Sequence, residues 1–165
     1  MPELPEVETV ARRLRNVLPG KKIQELVVFR EKSFQGTDSE LIGDTILSVS
    51  RQAKIISLDL ESGKHILVHL KMTGQLMYHG HDIKMGGGHP TADWVQDLPS
   101  KHTRIMLTFE SQEKLFFNDM RVFGWWKIVS PEGKRKELSQ YGPDVNTEDF
   151  SFEYFKEKIS SRRSP

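Results

Sequence analysis

A chain of 165 residues has room for one domain and a short additional segment, and 36% apolar residues with nine Phe, three Trp and three Tyr suffice for a packed core. No apolar run approaches the roughly 20 residues of a membrane helix, and the first ten residues are acidic where a signal peptide is basic, so a cytoplasmic location is expected. The absence of cysteine excludes disulfides, thiolate zinc sites and thiol chemistry, and a net charge of +1 leaves any nucleic-acid contact to a local patch.

Val7, Val10, Leu14 and Leu18 recur at helical spacing from Pro5 until Pro19-Gly20, which predicts an opening amphipathic helix. Glu3, Glu6 and Glu8 in its first turn suit the positive end of the helix dipole. From Lys22 the apolar period changes to two, and strands are predicted at 22–30, 45–50, 53–60, 65–71, 74–78, 103–110, 114–118 and 123–129. Glu61-Ser62-Gly63-Lys64 and Ser111-Gln112-Glu113 are tight turns between antiparallel partners. The expected fold is therefore mainly β with flanking helices, an antiparallel two-sheet β-sandwich with the N-terminal helix at its side.

Residues 79–101, with Gly86-Gly87-Gly88, Pro90 and Pro99, are longer than most structureless loops, and Trp94, Val95 and Leu98 imply that part of the stretch docks. The charged run after Pro131 predicts a linker over 131–147. A last helix is predicted at 148–160 with Phe152, Phe155 and Ile159 on one face. One helix cannot bury its own face, so residues 1–130 are expected to form the sandwich domain and 148–165 the start of a truncated helical domain of a longer protein.

Chemistry concentrates at the beginning. Removal of Met1 would leave Pro2 as a free secondary amine, and an α-amino group titrates near pH 8, so an unprotonated nucleophile exists near neutrality. Taken alone, Pro2 is more often just a common second residue. Glu3 can serve as proton donor if partial burial raises its pKa, and Glu6, one helical turn on, can orient the amine or a water; both glutamates also fit plain dipole complementation. Lys54 shares parity with Ile56, Leu58 and Leu60, which puts a cation at an open rim where it pairs with either a glutamate or a phosphate. Arg121 and Phe123 follow a turn-forming Asn118-Asp119 and, with Met72, form either a wedge for an opened base stack or part of the core. His102, between Lys101 and Arg104, is placed for phosphate contact. His79, His81 and His89 admit a zinc reading, but their loop lacks supporting carboxylates, and no metal is expected.

Residues 2–9, Pro-Glu-Leu-Pro-Glu-Val-Glu-Thr, together with Arg51-Gln52-Ala53-Lys54, the stretch His69 to Gly74, Lys101-His102-Thr103 and the stretch Asn118 to Gly124, resemble the formamidopyrimidine-DNA glycosylase family, more its formamidopyrimidine branch than its endonuclease VIII branch. The resemblance covers the whole chain and implies an N-terminal catalytic domain that removes oxidised purines such as 8-oxoguanine and formamidopyrimidines from double-stranded DNA as a monomer, then nicks the strand by β- and δ-elimination. It implies a Schiff base on Pro2, proton donation by Glu3, assistance to elimination by Lys54 and support from Glu6. It also implies phosphate contacts from His102, Arg121 and Arg162, with Met72, Arg121 and Phe123 filling the space left by the flipped base. Complete members continue into a helix-two-turn-helix domain and a zinc finger, of which only the first helix is present here, so no zinc and no other cofactor is expected in this chain. Met120 and Val122 depart from the proline and basic residue common around this arginine. The alternatives are a catalytically silent DNA-binding relic of the family and a metal-binding sandwich.

Overall fold

The computed structural model describes residues 1–94, 96–144 and 147–161. The opening helix, α1, spans Leu4–Arg15. Pro5 occupies its first turn, where the missing N–H has no cost, and the Glu3 N–H donates to Glu6 Oε2 at 3.0 Å, closing the first turn. Val7, Val10, Ala11 and Leu14 line its buried face.

Ten strands follow: β1 (Ile23–Val28), β2 (Phe34–Gln35), β3 (Ile46–Gln52), β4 (Ile55–Leu60), β5 (His65–His69), β6 (Gly74–His79), β7 (Lys84–Gly88), β8 (Thr103–Phe109), β9 (Lys114–Asp119) and β10 (Trp125–Val129). They form two five-stranded sheets, ordered β1-β8-β9-β6-β7 and β2-β10-β5-β4-β3, antiparallel except where β2 joins β10. The inner faces and α1 share one core, in which Leu14, Phe109, Phe117 and Trp126 are fully buried. The fold is thus the expected two-sheet sandwich with a helix along its side.

Several local expectations change. Inside the predicted loop 79–101, Lys84–Gly88 forms β7, because β6 supplies a backbone ladder and α1 needs a neighbour without side chains. A Cβ on Gly87 would lie 2.4 Å from Val10 Cγ2, so the glycine lets helix and strand touch. Lys54 is not in a strand: β4 begins at Ile55, and Ala53 has φ 50° in the turn that precedes it.

The predicted linker 131–147 contains a second helix, α2 (Pro131–Leu138), with Pro131 in its first turn and Ser130 accepting the Gly133 N–H at 3.1 Å. Two of its charges are paired with the sheet. Lys134 bonds Asp59 at 2.6 Å and Glu137 bonds Lys127 at 2.9 Å, which docks α2 on the second sheet. The last helix, α3 (Phe152–Ser161), starts four residues later than expected and leaves Phe152, Phe155 and Ile159 exposed.

Burial opposes the charge on Asp59, but hydrogen bonds from Lys134, Ser57, Ser48 and His65 outweigh it and hold the pKa at about 2. Because this value lies below that of the unfolded carboxyl, the stabilisation is complete above about pH 5 and disappears as the pH falls toward 2. Asp59→Asn should lower the unfolding free energy at pH 7 by about 2 kcal/mol. Urea denaturation across pH 7 to 2 checks this: the gap between wild type and variant should close on the acid side.

Candidate active site

Pro2 is buried immediately ahead of α1, and Met1 before it is exposed. Glu3 faces two ways. Its backbone N–H is held by Glu6, and its Oε2 accepts a hydrogen bond from Lys54 Nζ at 2.6 Å. Lys54 reaches it from the turn between β3 and β4, and both side chains keep substantial exposure, at 53% for Glu3 and 34% for Lys54.

The turn that carries Lys54 is fixed by Arg51, a residue without a predicted role. Its guanidinium, only 5% exposed, bonds Glu8 Oε2 at 2.5 Å, the Ala53 carbonyl at 2.7 Å and Asp144 Oδ1 at 3.0 Å. Asp144 also accepts the Ala53 N–H at 2.9 Å. The hydrogen bond from Arg51, more than any other influence, holds the Glu8 carboxyl below its ordinary pKa.

Behind Lys54, the start of β4 pairs with the end of β5 at Ile55 and His69. His69 Nδ1 accepts the Lys71 N–H at 3.0 Å, so the neutral ring carries its proton on Nε2, and the ring tilts against Trp125 with centroids 5.6 Å apart. Burial, then the positive charges of Lys71 and Lys54, push the His69 pKa down to about 4.

The turn from β5 to β6 continues through Lys71, at φ 51°, to the part-exposed Met72. Arg121 Nη1 lies 3.3 Å from Met72 Sδ, and its guanidinium stands 4.9 Å from the centre of the half-exposed Phe123 ring. The turn holding Arg121 and Phe123 is built on the buried carboxylate of Asp119, which accepts the Arg121 N–H at 3.2 Å, the Gly124 N–H at 2.7 Å and the Thr73 hydroxyl. Val122 within it has φ 58°, a strained setting for a β-branched residue. At the start of β8, the His102 carbonyl accepts the Asp119 N–H at 2.9 Å, and His102 Nδ1 pairs with Asp93 Oδ2 at 2.9 Å.

One end of the sandwich thus gathers Pro2, Glu3, Glu6 and Lys54 at a mouth, with Met72, Arg121 and Phe123 on adjoining turns and His102 beside them. Arg162 lies outside the described residues. The loop histidines disperse: His79 packs edge-on to Phe116, and His81 bonds the Ser111 carbonyl. No group of three or more His, Asp or Glu able to hold a metal occurs among the described residues. Arg51 and His69 were visible only as members of motif stretches, because their partners lie far away in sequence.

The family described as Formamidopyrimidine-DNA glycosylase N-terminal domain matches residues 1–126, and the chain belongs to that family. A formamidopyrimidine-DNA glycosylase of Cereibacter sphaeroides is 34% identical over 172 residues, covering 100% of this chain and 58% of its own length. One of Exiguobacterium sp. is 39% identical over 137 residues, covering 80% of this chain and 44% of its own. Among solved structures, the Lactococcus lactis Fpg in complex with an abasic-site-containing DNA matches with a TM-score of 0.79 at 28% identity, covering 97% of this chain and 57% of that one. The chain therefore spans about half the length of these relatives, between 44% and 58%.

The imidazole of His69 should stay neutral from pH 8 to 5 and titrate only near pH 4, as read from its ring proton shifts by NMR. Lys71→Gln should move that midpoint upward; an unmoved midpoint would remove Lys71 as a cause.

Proposed function

We propose that this chain is the catalytic portion of a bifunctional DNA glycosylase and abasic-site lyase acting on oxidised purines, 8-oxoguanine and formamidopyrimidines, in double-stranded DNA. What carries the reading is the contact of Glu3 with Lys54 at 2.6 Å, one residue from Pro2. A potential proton donor, a cation and a potential amine nucleophile are assembled from the chain start and a turn 51 residues away.

With Met1 removed, about a tenth of the Pro2 nitrogen is unprotonated at pH 7. That nitrogen attacks C1′ of the damaged nucleotide, forming an N–C1′ bond as the glycosidic bond breaks and the base leaves with a proton. Glu3, which takes up the proton that the Pro2 ammonium sheds before attack, passes it to the ring oxygen, the sugar opens, and the nitrogen lone pair completes the iminium. Loss of the C2′ proton then expels the 3′ phosphate, and a second elimination expels the 5′ phosphate. Lys54 stabilises the departing phosphates, and its ion pair keeps Glu3 oriented; Glu6 fixes the Glu3 backbone at the helix start.

On this reading His102 and Arg121 bind phosphates, joined by Arg162, and Met72, Arg121 and Phe123 occupy the gap left by the extruded base. Residues 1–130 are the catalytic domain, and the exposed face of α3 belongs to a further DNA-binding domain that begins near residue 148 and adds phosphate contacts. The protein works as a monomer on damaged double-stranded DNA in the cytoplasm.

Incubation with an 8-oxoguanine duplex and borohydride tests this directly. The expected product is a one-to-one covalent adduct through Pro2, absent from protein whose intact mass retains Met1. Glu3→Gln should slow adduct formation by about 10²-fold or more. If Met1-free protein gives no adduct, the lyase assignment fails and a silent DNA-binding role stands in its place.

A further inference from the structure

The segment from His89 to His102 is held by a closed circuit of side chains. Gln75 donates to Thr91 Oγ1 at 2.9 Å, Thr91 donates to Asp93 Oδ2 at 2.8 Å, and Ser100 Oγ donates to Asp93 Oδ1 at 2.5 Å. The Ser100 N–H donates to Thr103 Oγ1 at 2.9 Å, Thr103 donates to Asn118 Oδ1 at 2.8 Å, and Asn118 returns to Gln75 Oε1 at 3.4 Å. Asp93, only 3% exposed, is the one charged member of this circuit. Burial works against its charge, but hydrogen bonds from Ser100, His102 and Thr91 outweigh it and hold the carboxyl below its ordinary pKa, so it is a carboxylate near neutrality.

A carboxylate only accepts hydrogen bonds. His102 Nδ1, 2.9 Å from Asp93 Oδ2, therefore carries a proton whatever the charge of the ring. In the neutral ring Nε2 then holds a lone pair, and it has no hydrogen-bond partner among the described residues. Turning the ring over would take the Nδ1 proton away from a buried carboxylate, and the backbone is pinned on both sides: the His102 N–H bonds Ser100 Oγ at 3.1 Å and its carbonyl accepts the Asp119 N–H at 2.9 Å. The other charged groups on the elements packed about it are Lys101 beside it, Arg104 on β8, Asp119 on β9 and Arg121 on the turn that follows, while Asp97 of the same segment acts on His79. Asp93 alone bonds the imidazole.

We propose that Asp93 is a positioning residue that couples the phosphate contact of His102 to the uptake of one proton from water. The proposal rests on the DNA-binding reading above and adds to it the residue that governs this contact. A phosphate oxygen set against the Nε2 lone pair is repelled. When an N–H bond forms at Nε2, the same oxygen gains a charge-assisted hydrogen bond from an imidazolium. Asp93 balances the added charge from inside, so carboxylate, imidazolium and phosphate alternate in sign along one line of hydrogen bonds. DNA binding then tightens as the pH falls from 8 to 6, the range in which an imidazole changes its charge. Asp93 itself is buried and touches no DNA.

Equilibrium binding of the chain to a duplex carrying a tetrahydrofuran abasic analogue, at low salt and across pH 6 to 8.5, tests this. Between pH 6.5 and 8 the wild type should lose about five- to tenfold more affinity than His102→Gln does, since one linked proton changes affinity by at most about tenfold per pH unit. Asp93→Asn supplies an amide that lets the neutral imidazole carry its proton on Nε2. It should match or exceed the wild type at pH 8, fall below it at pH 6.5 and lose the extra slope. A merely structural Asp93 would weaken binding by one factor at every pH, so parallel curves for wild type and Asp93→Asn overturn the proposal. In the unbound wild type at pH 8.5, nitrogen-15 shifts of the ring should show the Nδ1–H tautomer; the Nε2–H tautomer overturns the proposal however well the variant folds. A wild-type chain that binds no duplex at any pH overturns this proposal and the DNA reading together, whereas proton-linked binding without borohydride trapping of the Met1-free chain overturns the lyase assignment and leaves this proposal standing.

Discussion

Arg51 has lost almost all contact with solvent, and its oxygen partners come from three separate parts of the chain: Glu8 in α1, Ala53 in the turn before β4, and Asp144 after α2. Desolvating a guanidinium is costly, and the penalty is met only because two carboxylates and a carbonyl surround it. Removing both carboxylates would leave a buried charge uncompensated, at a cost of about 3 to 5 kcal/mol. The consequence is geometric. With Glu8 and the Ala53 carbonyl held on one cation, the first two turns of α1 are locked against the β3–β4 turn. Lys54 therefore meets Glu3 across a fixed gap, although both side chains are partly in water, where an ion pair alone contributes little.

A second constraint acts at the opposite flank of the same mouth. The circuit through Gln75, Asp93, Thr103 and Asn118 ties the long segment before β8 to β6 and β9, so His102 and Trp94 are carried by a rigid base. Asp119 does the same for the turn bearing Arg121 and Phe123 through its three hydrogen bonds. Exposed side chains on polar supports of this kind lose little conformational freedom when they engage a ligand.

The sequence disclosed α1 because four apolar residues at helical spacing allow few other arrangements, and most strands because their alternation matches a sheet with one buried face. It misplaced Lys54, since parity counted through Ala53 assumed an extended backbone where the chain makes a left-handed turn. β7 was hidden because Lys84-Met85-Gly86-Gly87-Gly88 has no intrinsic strand character and is a strand only by virtue of its neighbours. α2 had a legible cap in Ser130 and Pro131, but its charges suggested a solvated linker until their partners Asp59 and Lys127 became visible. Candidate residues at the mouth were nameable one by one. Arg51 was not, because Glu8 and Asp144 lie 43 and 93 residues away and nothing in a linear pattern marks such pairs.

The near balance of 24 basic and 23 acidic residues leaves the local arrangement of charge to decide what the surface meets. Part of that balance is met in ion pairs: Lys21 with Glu113, Lys22 with Glu110, Lys64 with Glu40, Lys127 with Glu137, and Lys134 with Asp59. Around the exposed turns, Lys71, Lys101, Arg104 and Arg121 have no ion-pair partner among the described residues. Burial and then the charges of Lys71 and Lys54 keep His69 neutral, so cations stand close together around that ring. Crowding of this kind costs stability in the free protein and is relieved by an anionic surface laid across it. A polyphosphate backbone, with charges at regular short intervals, matches that distribution better than a single small anion. On the proposed reading, local field and not net charge governs the encounter with DNA.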